Sequence, residues 1–469
     1  MKKTLLVLIA ALITVNGLAQ DQFVGDWFGS LNVGQELQIV FHISNNEALK
    51  ATLDVPKQGA KAIPCNEVIA KGNTIIINIE LIKSRFSGTL NNGIIKGNWI
   101  QNGMNIPVEL SKQKPQKTVL KRPQTPEPPF SYNSTNLIYH NKDKSIQYGA
   151  TITVPAIDKK HPAVILITGS GAQNRDEEIE GHKPFAVIAN HLTNNGYAVL
   201  RIDDRGVGET TGNTNATSAD FAEDIIAGIE YLKSRDDIDA KKIGLYGHSE
   251  GGLIAPMVAN KTKDVNFIIL AAGPGIPVID LMSEQNYEIL LKMGITDEMA
   301  KAYTPLYRDI MSILTTAENK KSAEIKINNT INSWKTRTDK QTVAITTGIS
   351  DEATQKVFAN QFLKLYDSKW LKYFISYDPT PALKKLRCKV LAINGDNDIQ
   401  VISKSNLAGI ESALKKSKVK SYEVKEFKGL NHLFQSCNTC NTQEYGKIET
   451  TFEPVVLDYI TDWLDENVK

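Results

Sequence analysis

The sequence has little of the features that mark several classes of protein. Its net charge is only +2 over 469 residues, and no dense cluster of Lys and Arg with interleaved aromatic residues occurs. Nothing therefore indicates nucleic acid or a charged membrane surface as a partner. After the N-terminal segment no apolar run is long enough to span a bilayer. The glycine-rich stretch at residues 168–172 lacks the full G-x-G-x-x-G dinucleotide-binding pattern, so no cofactor is expected.

What is present is ordinary for a globular protein, with 41% hydrophobic and 23% charged residues, and the length predicts two or three domains. The N-terminus has the pattern of a signal peptide over residues 1–19. Lys2 and Lys3 precede an apolar run at residues 5–15, and small residues follow it. We expect the mature chain to begin at Gln20 and to be exported, as a periplasmic or secreted protein.

Residues 20–111 have the pattern of a small all-β domain. Short alternating runs, such as residues 37–43, are separated by turn signals, for example at residues 91–93. This spacing predicts an antiparallel sheet or a small barrel. Residues 112–130 contain five prolines among Lys and Gln, which favour an extended linker.

Residues 131–469 alternate apolar strands with helices, which predicts a mostly parallel sheet flanked by helices and buried on both faces. One helix is expected to begin at Ser218, with that serine as its cap. After residue 276 the alternation stops for about a hundred residues. Residues 277–381 are expected to form a helical cap insertion before the alternation resumes.

The strongest motif lies at residues 242–252, where an apolar strand runs into Gly-His-Ser-Glu-Gly and a helical run follows. This is the context of a nucleophile elbow, a turn sharp enough to expose the hydroxyl of Ser249 at a helix N-terminus. Gly247 and Gly251 are needed because side chains there would collide. The alternative interpretation is an incidental serine in a glycine-rich turn. The strand before it and the helix after it favour the elbow over that alternative.

A serine hydroxyl needs a base that is itself oriented by an acid, and in this kind of fold the chain order is nucleophile, acid, histidine. Of seven histidines, His432 alone follows a late strand in that order. The acid must come from residues 392–401, where we favour Asp398. Asp396 is the alternative, and its plainer role is a local turn.

The oxyanion hole needs two backbone donors. One is expected from Glu250, directly after the nucleophile, and the other from the loop at residues 168–172, where Ser170 is favoured and Gly171 is next. Arg205 is expected either to touch substrate or, with more weight, to pair with a loop carboxylate that braces the site. The candidate site-lining residues are Asn174, Arg175, Arg205 and His248.

Four cysteines occur, and Cys437 and Cys440 lie just beyond His432. In an exported chain we expect these two to form a disulfide. Pairing of Cys388 with either one is the competing pattern. A zinc site would need two more ligands, and none is nearby in sequence, so no metal is expected.

Together these stretches resemble the α/β-hydrolase superfamily and, more closely, exported bacterial esterases related to serine aminopeptidase-like (S33-type) hydrolases. The resemblance covers most of residues 132–469, and its motifs lie at residues 168–177, 201–208, 247–252, 395–398 and 431–432. It implies an α/β-hydrolase fold and metal-free hydrolysis of small or short-acyl carboxylic esters. The β domain departs from a minimal hydrolase, so the resemblance does not carry substrate specificity over.

The expected function is therefore that of a serine esterase that acts on a small-molecule ester through an acyl-enzyme. The first alternative is a peptidase or amidase with the same triad, which an acidic cluster holding a free amino terminus would favour. The second is an envelope or glycan-binding protein whose β domain binds the partner and whose hydrolase domain is vestigial. No feature of the sequence indicates an oligomeric state.

Overall fold

A computed structural model describes residues 20–32, 36–46, 48–56, 59–101, 104–114 and 121–469. The predicted signal peptide lies outside the described residues, as do residues 115–120 of the predicted linker. The chain divides into two compact units, Met1–Val119 and Leu120–Lys469, at a point inside that linker.

The first unit is an antiparallel sheet, and its described residues form nine strands in the order β4-β3-β2-β1-β9-β8-β7-β6-β5. The strands are β1 (Gly25–Asn32), β2 (Glu36–Asn46), β3 (Ala48–Val55), β4 (Ala60–Cys65), β5 (Glu67–Lys71), β6 (Thr74–Ile79), β7 (Ser84–Asn91), β8 (Ile94–Gln101) and β9 (Met104–Ser111). Asn92 and Gly93 both have positive φ angles, of 48° and 79°, and form the two-residue turn between β7 and β8. Such turns match the twist of the flanking strands.

Alternation places the apolar side chains of this unit on one face of the sheet. Along β2, Leu37, Ile39, Phe41 and Ile43 are buried. The ring of Phe41 lies 5.8 Å from the ring of Phe86 on β7, although three strands separate β2 from β7 in the sheet order. The sheet therefore curls until its two halves pack on each other, and aromatic rings fill the interior.

The second unit is built on an eight-stranded sheet in the order β10-β11-β13-β12-β14-β15-β16-β17. Its strands are β10 (Tyr132–His140), β11 (Gln147–Pro155), β12 (His161–Ile167), β13 (Ala198–Ile202), β14 (Ile238–His248), β15 (Val265–Ala271), β16 (Lys389–Gly395) and β17 (Tyr422–Phe427). Pairing is antiparallel from β10 to β13 and parallel from there to β17. Two apolar clusters cover its two faces, as the unbroken apolar runs predict.

Helices of the second unit connect these strands and build an insertion. They are α1 (Pro184–Asn194), α2 (Ser218–Lys233), α3 (Glu250–Lys261), α4 (Val278–Lys292), α5 (Asp297–Thr316), α6 (Lys320–Thr336), α7 (Lys340–Thr347), α8 (Glu352–Leu363), α9 (Lys369–Ser376), α10 (Thr380–Lys384), α11 (Ser403–Leu414) and α12 (Pro454–Asn467). Helices α4 to α10 all lie between β15 and β16, and α4 to α9 share an apolar cluster of their own.

The predicted cap of α2 was wrong by one residue. Thr217 is the N-cap, and the Asp220 carboxylate accepts from both its N–H and its hydroxyl, each at 2.8 Å. Ser218 is the first helical residue, and its hydroxyl donates to Glu250 instead. Ser and Thr both favour caps, so two adjacent candidates could not be separated by residue type.

The described end of the predicted linker, residues 121–130, belongs to the second unit and bonds to its C-terminal part. Gln124 Nε2 donates to the carbonyl of Phe452 at 2.7 Å, and Gln124 Oε1 accepts from the N–H groups of Thr451 and Phe452. Arg122 donates to the carbonyls of Gly446 and Ile448. In the part of the chain that the structure describes, no helix is long and apolar enough to cross a membrane.

Candidate active site

Ser249 lies between the end of β14 and the start of α3, with φ 53° and ψ −119°. A non-glycine residue at such angles stores strain on the order of 1–3 kcal/mol. The turn is tight: a Cβ on Gly247 would lie 2.1 Å from the carbonyl oxygen of Gly251. A Cβ on Gly251 would lie 2.2 Å from the carbonyl oxygen of Ile167. Both positions therefore require glycine, and the elbow lifts Ser249 to the carboxyl end of the sheet.

His432 and Asp398 meet at that same end of the sheet. Asp398 follows β16 and His432 follows β17, and their side chains are buried. His432 Nδ1 lies 2.7 Å from Asp398 Oδ2. The other carboxylate oxygen accepts from the N–H groups of Gln400 and Val401 at 2.7 and 2.9 Å. These bonds orient the carboxylate toward one ring nitrogen and leave Nε2 for proton transfer.

Asp396, the alternative acid, has a different partner. Its Oδ1 accepts from the N–H of Gly429 at 2.7 Å and so joins the ends of two neighbouring strands. Its carboxylate thus bonds to a residue in another loop, and the prediction that it would form a local turn was wrong.

The loop after β12 lies against Ser249. A Cβ on Gly169 would be 3.1 Å from Ser249 Cβ, so any larger residue there would crowd the serine. The N–H of Gly169 donates to Glu177 Oε1 at 2.6 Å. Across the described chain, no acceptor is recorded for the N–H of Ser170. Gly171 has a φ of 106°, which turns the loop away after Ser170.

Asp204 holds the same loop from the other side. Its carboxylate accepts from Thr168 Oγ1 at 2.7 Å and from the N–H of Gln173 at 2.8 Å. Burial raises the pKa of Asp204 to about 7, while these two hydrogen bonds oppose the rise and the charges of Glu177 and Glu250 add to it. The loop at residues 168–173 is thus held by two carboxylates, those of Glu177 and Asp204.

The side chain of Glu250 is as much a part of the site as its backbone N–H. It is buried, and it accepts from the Ser218 hydroxyl at 2.6 Å and from Trp370 Nε1 at 2.9 and 3.0 Å. Burial raises the pKa of Glu250, and hydrogen bonds from Ser218, Trp370 and Ser170 counter that rise. Trp370 belongs to α9, so the helical insertion contacts the residue next to Ser249. From the sequence, a role was predicted only for the Glu250 N–H.

His248 was expected as a site-lining residue, and its ring lies 4.7 Å from the ring of His432. Its Nδ1 is 3.0 Å from Glu177 Oε1, and its Nε2 is 3.0 Å from the carbonyl oxygen of His432. Burial opposes a charge on His248, yet the charge and hydrogen bond of Glu177 raise its pKa. Glu177 was not predicted as a site residue, although it is the last residue of the motif at residues 168–177 and directly follows Asp176.

The two arginines have structural partners. Arg175 donates to both carboxylate oxygens of buried Asp203, at 3.1 and 2.6 Å. Arg205 donates to both oxygens of Asp224, at 2.6 and 2.8 Å. The bracing carboxylate of Arg205 therefore lies on helix α2, and its prediction on a loop was wrong. Asn174 accepts from the N–H groups two and four residues further on, so it shapes its own turn.

The segment after His432 is closed by a disulfide between Cys437 and Cys440. The Glu444 carboxylate accepts from the N–H groups of all three residues at 438–440, at 2.7 to 2.9 Å. Cys388 is buried as a free thiol, and burial raises its pKa to about 11. Over the described ranges, no group of His, Cys, Asp and Glu is arranged to hold a metal ion.

The sheet order, the serine elbow between β14 and α3, and the acid and histidine after β16 and β17 are the defining features of one superfamily. They define an α/β-hydrolase fold. The model of the family "Serine aminopeptidase, S33" matches residues 179–344, which include the elbow and end before Asp398.

Among individual relatives, the chain is 27% identical to esterase EstD of Thermotoga maritima over 315 residues, which are 67% of this chain. The match spans 64% of EstD, less than two thirds of its length. Human dipeptidyl peptidase 8 is 30% identical over 166 residues, which are 32% of this chain and 17% of that protein. Among solved structures, an esterase of Pyrococcus furiosus matches 76% of this chain and 100% of its own, with 14% identity and a TM-score of 0.45.

Proposed function

We propose that this protein is a carboxylic ester hydrolase that acts through an acyl-enzyme on Ser249. The observation that carries the proposal is the 2.7 Å contact of His432 Nδ1 with Asp398, beside a strained serine elbow. Similarity to EstD supports an ester as the substrate class.

In the proposed reaction, His432 Nε2 takes the proton of the Ser249 hydroxyl as its oxygen attacks the ester carbonyl carbon. Negative charge then develops on the carbonyl oxygen and is held by the N–H groups of Glu250 and Ser170. The tetrahedral intermediate collapses, and His432 returns the proton to the departing alcohol. Water then repeats the cycle and releases the acid, while Asp398 keeps the ring in the correct tautomer.

A peptidase or amidase with the same triad is the second candidate, and it rests on the match to the serine aminopeptidase family and to dipeptidyl peptidase 8. The test is to compare p-nitrophenyl esters with aminoacyl-anilides on one preparation. We expect ester cleavage to exceed anilide cleavage by far, because an anilide has the poorer leaving group and needs closer placement. A kcat/KM for an aminoacyl-anilide that equals or exceeds that for the esters would favour the peptidase.

We further propose that the helical insertion is a cap that limits acyl length. The hydrogen bonds from Trp370 to Glu250 support this, because they place α9 beside the nucleophile. Rates across p-nitrophenyl esters of increasing chain length should peak at short acyl groups. A preference of the intact enzyme for long-chain esters would contradict the restriction.

We also propose that the protein is exported to the periplasm or secreted. The basic and apolar pattern of residues 1–19 and the disulfide after His432 support the proposal. Cell fractionation followed by N-terminal sequencing is the test. The mature protein should begin at Gln20 outside the cytoplasm, whereas an uncleaved cytoplasmic chain would refute export.

A further inference from the structure

His248 is placed between two hydrogen-bond acceptors. Its Nδ1 faces Glu177 Oε1 and its Nε2 faces the carbonyl oxygen of His432, each at 3.0 Å. A neutral imidazole carries one N–H and can donate to only one of them, whereas the imidazolium donates to both. His248 is 4% exposed, so water cannot take the place of either partner.

The charge that this requires has a buried counter-ion. Glu177 is 1% exposed, and its Oε1 also accepts from the N–H of Gly169 at 2.6 Å. The other charged or titratable groups that interact with this pair are His432, Asp398, Asp204 and Tyr246. A neutral pair would put a proton on Oε1 and make that oxygen a weaker acceptor for the N–H of Gly169, whereas the ionised carboxylate is the stronger acceptor for both donors. The raised pKa of His248 agrees with an ion pair.

We propose that His248 is a doubly protonated positioning residue that, with Glu177, joins the three catalytic loops of the site. This inference rests on the proposed function, because it assigns the loops their roles. His248 comes from the elbow, its Nε2–H holds the carbonyl of the base His432, and Glu177 holds the oxyanion loop at Gly169. One buried charge therefore sets the distances among nucleophile, base and oxyanion donors.

The proposal predicts an alkaline loss of function. When His248 loses a proton, one of its two hydrogen bonds must break, and either the base loop or the oxyanion loop is released. Because folding raises this pKa, the pair stabilises the fold fully below the unfolded-state pKa of histidine. That contribution disappears as the pH rises through the folded-state value.

The direct test is NMR of the full chain labelled with ¹⁵N-histidine. At pH 8 we expect a histidine with both ring nitrogens protonated, and its signal should vanish in His248→Gln. That assignment is needed because His42, between Asp26 and Asp54, also has a raised pKa. A His248 with only one ring proton at pH 8 would overturn the inference.

The kinetic test uses two variants and one control. His248→Gln should lower kcat about a hundred-fold with a much smaller change in KM, because a displacement of about 1 Å in the site has that effect. It should also abolish the alkaline limb of kcat, and Glu177→Gln should move that limb to lower pH. The control is His191→Gln, since His191 lies on α1 and bonds to Thr461. This variant should leave kcat, KM and the alkaline limb of kcat unchanged.

A His248→Gln enzyme with wild-type kcat and an unchanged alkaline limb would refute the positioning role. The two proposals fail separately. If no ester is turned over, the proposed function falls, and NMR still reports the charge on His248. If esters are turned over and His248 is neutral, the inference alone falls.

Discussion

The two units differ in what they bury. In the described residues of the first unit, Ser84 is the one buried side chain outside the apolar and aromatic types. The second unit buries carboxylates and histidines, and many of them lie at the carboxyl end of its sheet. Burial of polar groups costs free energy unless every partner is supplied. In the second unit, buried Glu177, Glu250 and Asp398 each have hydrogen-bond partners and lie close to Ser249 or His432.

The largest expected effect comes from removing the nucleophile itself. Ser249→Ala should lower kcat on the order of a million-fold, as loss of a triad member does in the protease case. Labelling by a fluorophosphonate probe should disappear, while unfolding by urea should stay near that of the wild type. Full labelling of the variant would show that another residue forms the acyl-enzyme.

The two aspartates near β16 provide a second, internally controlled comparison. Asp398→Asn should lower kcat about ten-thousand-fold, because an amide holds His432 in the wrong tautomer. Asp396→Asn should change kcat far less, since Asp396 accepts from the N–H of Gly429 and touches no ring nitrogen. The reverse ranking in single-turnover assays would transfer the acid role to Asp396.

A truncation in the first unit should affect stability and leave the chemistry alone. Phe86→Ala removes a fully buried ring that packs on Phe41 and should destabilise this unit by about 3–5 kcal/mol. Denaturant unfolding measures that loss, and kcat measured below the transition should stay at the wild-type value. Lys96→Ala, at an exposed ion pair, serves as the control. A matching fall in kcat for Phe86→Ala would mean that the first unit takes part in the reaction.

The smallest expected effect is a difference in stability between two tryptophan variants of the insertion. Trp370→Phe removes a donor to the buried carboxylate of Glu250 and should cost about 1.5–3 kcal/mol. Trp334→Phe removes a donor to the neutral carbonyl of Ala302 and should cost about 0.5–1.5 kcal/mol. Only the first should alter kcat/KM. Equal losses of unfolding free energy, with unchanged kcat/KM in both variants, would show that α9 does not contribute to the site.

Patterns of residue type and order predicted much of the fold and the pairing of His432 with Asp398. The alternation along residues 37–43 predicts a strand with one buried face, and Leu37, Ile39, Phe41 and Ile43 are buried. The chain order of serine, acid and histidine singled out His432, whose ring lies against Asp398. These inferences depend on local periodicity and on strand ends that meet at one edge of a parallel sheet.

What could not be predicted are the buried charges that support the triad. Glu177 and Glu250 look like surface residues in the sequence, because acidic side chains are rarely buried unless they are paired. Their partners, such as Trp370 and Ser218, are far away along the chain and become neighbours only in the folded state. Arg205 was assigned a loop partner for the same reason, and it bonds to Asp224 on a helix.

The contacts of Gln124 with residues 451 and 452 can form only late in the synthesis of the chain. A ribosome that adds roughly 5–20 residues per second needs tens of seconds to pass from one side of these hydrogen bonds to the other. During that interval the nascent polypeptide can form early hairpins, and of these partners the segment at residues 121–124 has only the carbonyl of Glu180. The Asp398–His432 pair is completed in the same late window. The site is therefore incomplete until His432 has been made, and the growing chain is inactive until then.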